Sequence, residues 1–202
     1  MRGGNMSDLT LRVRYFQDST SADVPCREEN FLRREIDMSL PVDQTALVLV
    51  DLWNIHFIDS WLERASHVTK EQVIPAIEAA RDAGLTIIHG PSPEVARQFP
   101  QTDRNPTVAP VPSAPDAPDW PPDAFRKRAG GYAAYANPRN QPPGINVHWG
   151  ALKDQLSISP AVDVQDDDVV IATGPQLHRV LADRGIMHLI YAGFATNWCV
   201  LG

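Results

Sequence analysis

The sequence is poor in cysteine, in lysine and in long apolar runs. Only two of its 202 residues are cysteine, Cys26 and Cys199, and most of the chain lies between them. Two thiols so spaced make neither a disulfide framework nor a metal-type cluster, and a reducing cytosol is the expected compartment. A net charge of −7 leaves no basic stripe for a phosphate backbone, so nucleic acid is not an expected partner. The longest apolar runs, such as ALVLV at residues 46–50, fall far short of the roughly 20 residues a membrane helix needs, and no membrane partner is expected. Internal repeats are lacking too. What remains is a globular chain long enough for one domain with an extension.

What is present changes character at residue 45. Residues 1–44 read as an N-terminal extension, where the alternating segment LTLRVRYF at 9–16 predicts one half-buried strand followed by polar, irregular sequence. Cys26 falls in that polar part, in CREEN, and reads as incidental. ALVLV at 46–50 is then a continuous apolar run ending at Asp51, which suits a strand covered on both faces. Val73, Ile77 and Ala80 recur at helical spacing, predicting a helix over 69–83 with Pro75 near its first turn and Gly84 as its stop. LTIIH at 85–89 is a second core strand. Strand, helix and strand in that order imply a parallel sheet with right-handed crossovers, hence the α/β class.

Residues 91–143 hold 13 of the 18 prolines, a density that excludes a long helix or a central strand and predicts a loop-rich excursion. Within it Trp120, Phe125, Tyr132 and Tyr135 suit either a pocket cover or anchors to the sheet, the second being preferred. Order resumes with VVIA at 169–172. Thr173 and Gln176 have capping-box spacing, Pro175 sits where a helix accepts proline, and the helix through Leu177, Val180 and Leu181 ends before Gly185. HLIYA at 188–192 is a fourth core strand, and Gly193 opens the turn that carries Cys199.

In an open parallel sheet, reacting groups collect outside the carboxyl ends of the strands. Asp51, His89 and Cys199 all follow or end core strands. A thiol near a helix N-terminus meets unpaired N–H groups and the positive end of the dipole, so Cys199 is expected to be the more acidic thiol, with Asp51 nearby to take its proton. Plainer readings stand beside this one: a buried, inert cysteine, and an aspartate that caps a turn. His56 and His89 would have to join Asp51 to hold a metal, and no close aspartate-histidine-histidine cluster is visible; no metal and no cofactor are expected.

The segments ALVLVDLWN, IEAARDAGLTIIHG and LIYAGFATNWCV resemble the isochorismatase-like cysteine hydrolases, a family that includes nicotinamidases, N-carbamoylsarcosine amidohydrolases and ureidoacrylate hydrolases. The likeness covers residues 45–202 outside the proline-rich excursion. It implies an open parallel sheet with flanking helices in three layers. It further implies Cys199 as nucleophile, Asp51 as proton acceptor and later donor, a cis peptide at Phe194–Ala195, and an oxyanion hole made by the N–H groups of Ala195 and Cys199. Trp53, His89 and Trp198 are the expected pocket residues. The implied reaction is attack on the amide-type carbonyl of a small molecule, loss of ammonia or an amine, and hydrolysis of a thioester.

One departure stands out. Where the family has a lysine after its third strand, this chain has Ala172 and Thr173, and its only lysines are Lys70, Lys127 and Lys153. Lys153 would reach the site only on a folded-back loop. A catalytically silent binding protein of the same fold therefore stands as the alternative to the amidohydrolase. The resemblance also implies that a helix after Cys199 and two further strands are missing from this chain. The strand at 189–192 is then expected to form an apolar edge through which copies associate, giving a homo-oligomer.

Overall fold

The computed structural model of the chain describes residues 8–104, 121–136 and 146–200. It begins with an antiparallel ribbon, β1 (Asp8–Gln17) paired to β2 (Leu32–Pro41). The extension thus contains two strands, not one strand followed by irregular chain. β2 escapes the pattern search because its residues are nearly all exposed, with only Leu40 buried. The ribbon still has two chemical faces. Leu11 opposite Met38 and Val13 opposite Ile36 make an apolar face, while Arg12 opposite Asp37 and Arg14 opposite Glu35 make a charged one.

β3 (Thr45–Val50) is buried at all six positions, as the unbroken apolar run requires. After it the chain becomes helical at Asp59, earlier than residue 69. α1 (Asp59–Val68) passes through a π-helical turn at Thr69–Val73 into α2 (Ile74–Ala83). Pro75 lies inside this run, immediately after the wide turn. Proline has no N–H to return to the preceding turn, and a locally widened helix accommodates that loss. α1 is missed by periodicity because it buries only Ala65. Gly84 ends the helix at φ 84°, with the N–H groups of Gly84 and Leu85 closing on the carbonyls of Arg81 and Ala80.

β4 (Thr86–Gly90) follows. The described parts of the excursion hold only short helical pieces: α3 (Pro93–Ala96), a 3-10 turn at Pro100–Arg104, α4 (Asp123–Arg126) and a 3-10 turn at Gly130–Tyr135. α5 (Asn146–Leu152) leads back toward the sheet, and β5 (Val169–Val170) is shorter than its apolar run suggests. α6 (Gly174–Arg184) starts as the capping pattern predicts. Thr173 Oγ1 accepts the Gln176 N–H at 3.3 Å, and Gln176 Oε1 accepts the Ala172 N–H at 2.7 Å. Gly185, at φ 68°, ends it, and β6 (His188–Gly193) closes the sheet.

The sheet is parallel throughout, in the order β5-β4-β3-β6. Its two faces are both covered. Leu47, Leu49 and Ile87 pack against Val73, Ile77 and Ala80 on one side, and Ala46, Val48 and Ile88 pack toward Val180 of α6 on the other. The molecule is therefore α/β, an open parallel sheet flanked by helices. Among the described residues, no helix is long and apolar enough to cross a membrane.

Candidate active site

Two adjacent strands bring Asp51 and Cys199 together. β3 ends at Val50, and Asp51 takes a left-handed backbone at φ 47°, a region in which aspartate is among the better tolerated residues. β6 ends at Gly193, at φ 144°, where an added Cβ would lie 1.9 Å from the Val50 carbonyl oxygen. Only glycine lets the two strand ends meet this closely. The Phe194 N–H then bonds the Val50 carbonyl at 3.0 Å, the Phe194–Ala195 peptide is cis, and a π-helical turn at Thr196–Val200 carries Cys199 to Asp51.

The Cys199 thiol donates a hydrogen bond to the Asp51 carboxylate. Burial pushes the Asp51 carboxyl above its ordinary value, and the bonds from Cys199 and the Ser92 N–H only partly oppose this. Burial, the bond to Asp51 and the negative charge of Asp51 together push the Cys199 thiol up to about 11, while a backbone bond from Ala195 acts the other way. The expectation of an acidic thiol is thus reversed. A single turn sums few peptide dipoles, and the nearest charge is negative.

The two N–H groups expected to form an oxyanion hole are engaged differently. The N–H of Cys199 donates to the Ala195 carbonyl at 3.0 Å, so it is held inside its own turn, whereas Ala195 sits with its backbone against the sulfur. No lysine stands in for the absent one. Lys153 is exposed in the turn Lys153–Gln155 and does not line the cavity, Lys127 pairs with Asp123 at 2.7 Å, and Lys70 is exposed on the π-helical turn.

A cavity of about 390 Å³ opens beside the pair. Its rear wall is built where residues 52–54 cross residues 157–159. Ser159 donates to Leu52 at 2.8 Å, Asn54 to Ser157 at 3.2 Å, and Trp53 bridges Ile158. Trp53, Trp61 and Trp149 line the cavity around the buried ring of His56, whose centroid lies 4.9, 5.2 and 4.9 Å from theirs. Trp53 is where it was expected. Trp61 and Trp149 were not anticipated, although Trp53, Phe57 and Trp61 recur every fourth residue in WNIHFIDSW and could have been read as one face.

His89 belongs elsewhere, and its assignment to the pocket is corrected. Its ring is 1% exposed, and Nε2 lies 2.9 Å from Asp168, which also accepts from Arg81 at 2.6 Å and from the Gln165 N–H at 3.0 Å. His56 accepts the Ile58 N–H on Nδ1 at 2.9 Å. Asp51, His56 and His89 therefore form no common ligand set. Among the described residues, no three His, Cys, Asp or Glu are grouped to hold an ion.

Trp120 and the side chain of Trp198 lie outside the described residues. Phe125 packs on Tyr132 at 5.3 Å and Tyr132 on Tyr135 at 6.4 Å, none of the three lining the cavity. Cys26 is exposed and free, as is Cys199. Comparison with protein-family models, with curated proteins and with solved structures found no match to this chain.

Proposed function

We propose that this chain is a cysteine hydrolase of the isochorismatase-like kind, cleaving a small amide or related C–N bond through a thioester. The observation that carries the reading is the thiol of Cys199 bonded to the carboxylate of Asp51 at the carboxyl ends of parallel strands, beside a mainly apolar cavity. With a thiol this weakly acidic, proton transfer must accompany attack. Asp51 takes the S–H proton as sulfur bonds to the carbonyl carbon, and the C=O electron pair moves onto oxygen, beside the backbone of Ala195. The pair returns, the C–N bond breaks, and the leaving nitrogen takes the proton from Asp51. Asp51 next removes a proton from water as it attacks the thioester, releasing a carboxylic acid and the thiol. No cofactor enters this scheme, and a reducing compartment suits its free thiol. Association through β6, an edge strand with Tyr191 45% exposed, belongs to the same reading.

A silent binding protein is the second reading, favoured by one observation: the thiol is pushed up to about 11 with no cation contributing. Ammonia release from a panel of small amides decides between them, run with the wild type and with Cys199→Ala, and with mass analysis of quenched reactions. The hydrolase reading expects release by the wild type alone and an acyl group on Cys199. Equal rates in both proteins would overturn it.

A further inference from the structure

We propose that the cavity beside Asp51 and Cys199 takes a substrate bearing an alkylated ammonium group, which supplies a positive charge that no lysine or arginine among the described lining residues provides. The inference rests on the hydrolase reading and names its substrate class. Its ground is the composition of the wall. Trp53, Trp61 and Trp149 line the cavity together with Asp51 and Glu94, and no lysine or arginine is among the described lining residues. Glu94 is exposed on α3 and makes no ion pair among the described residues.

Each substrate class meets this wall differently. An anion would approach two carboxylates with no lysine or arginine among the described lining residues to balance it. A neutral amide would fill the apolar space and leave both carboxylates uncompensated. A trialkylammonium group matches indole rings by its low hydration and its attraction to their π-faces, and it brings a positive charge toward Asp51 and Glu94. The cavity, about 390 Å³, has room for such a head group joined by a short link to a carboxamide. The same charge would favour the ionised forms of Asp51 and Cys199, so a chain without the family's lysine would obtain its cation from the molecule it cleaves.

The test compares two amides of nearly identical shape, trimethylammonioacetamide and its uncharged carbon counterpart tert-butylacetamide. Each is titrated into full-length Cys199→Ala by tryptophan fluorescence at low and high salt. The cation is expected to bind about tenfold tighter or better, with the ratio falling several-fold in Glu94→Gln, whose exposed position spares the fold. Equal affinities, or preference for the uncharged amide, would overturn the inference. Wild-type turnover separates the two claims. Hydrolysis of tert-butylacetamide without cation preference would remove this inference and keep the hydrolase; cation preference with neither amide hydrolysed would keep the cation site and remove the hydrolase.

Discussion

Two carboxylates of this molecule, one half-buried and one buried, have opposite surroundings. Asp168, just before β5, is surrounded by donors and positive charge. Burial opposes its ionisation, but bonds from His89 and the Gln165 N–H, with the charges of His89 and Arg81, outweigh it and hold its pKa below the ordinary value. Asp51, at the end of β3, has a thiol and one backbone N–H, and burial prevails, so its pKa rises. The first carboxylate is satisfied and fixed. The second keeps its affinity for a proton, which is what the proposed role as a base requires. Surroundings, not residue type, set the two pKa values apart.

The comparison is broken most directly at Asp51. Asp51→Asn keeps the shape and tolerates the left-handed backbone, yet removes the proton acceptor. Turnover of any amide substrate is expected to fall by about 10³-fold or more, while urea stability stays within about 1 kcal/mol of the wild type. A variant that hydrolyses normally would move the base away from Asp51; one that unfolds would place Asp51 with the structural carboxylates.

Asp168→Asn should do the reverse. It leaves Arg81, only 21% exposed, without its counter-charge, and breaking such a pair costs about 3 kcal/mol or more. Denaturant unfolding is the measurement. A change below about 1 kcal/mol would mean that Arg81 finds another partner and that the contrast between the carboxylates is weaker than drawn.

The smallest effects are those of pH, and their signs differ. Asp168 has a lowered pKa, so its contribution to stability is present above the unfolded value near 4 and is lost as pH falls through the folded value. Cys199 has a raised pKa, so its contribution is present below about 9 and is lost as pH climbs toward about 11. Alkylation of Cys199 in the folded protein should therefore be slow at neutral pH and rise about tenfold per unit until it levels near 11. Levelling near pH 7 would show that a cation reaches the pair.

Much of the scaffold was legible because local pattern and burial coincide. Residues 46–50 could only be a strand covered on both faces, and Gly84 and Gly185 mark helix ends where a left-handed residue is needed. Thr173 and Gln176 announced the start of α6 through chemistry that acts within one turn. Elements whose order comes from pairing rather than burial were hidden. β2 is held by its register with β1 and buries almost nothing, and α1 buries one residue. At the site, Asp51 and Cys199 were readable as strand-end residues, but Trp61, Trp149 and Glu94 were not, since they reach the cavity from three separate segments.

By itself, then, the sequence determined where the strands and helix stops lie, because apolar runs, proline and glycine act on their own neighbourhood. Only the tertiary structure decided which charges meet. His89 and Asp168 are 79 residues apart in the chain and 2.9 Å apart in space, so a histidine that reads as a site residue becomes part of the core. Cys199 follows the same logic in the opposite direction. Its turn predicts a dipole that favours thiolate, but the carboxylate brought from the far end of β3 raises its pKa instead, because Coulomb energy depends on distance in space and not along the chain.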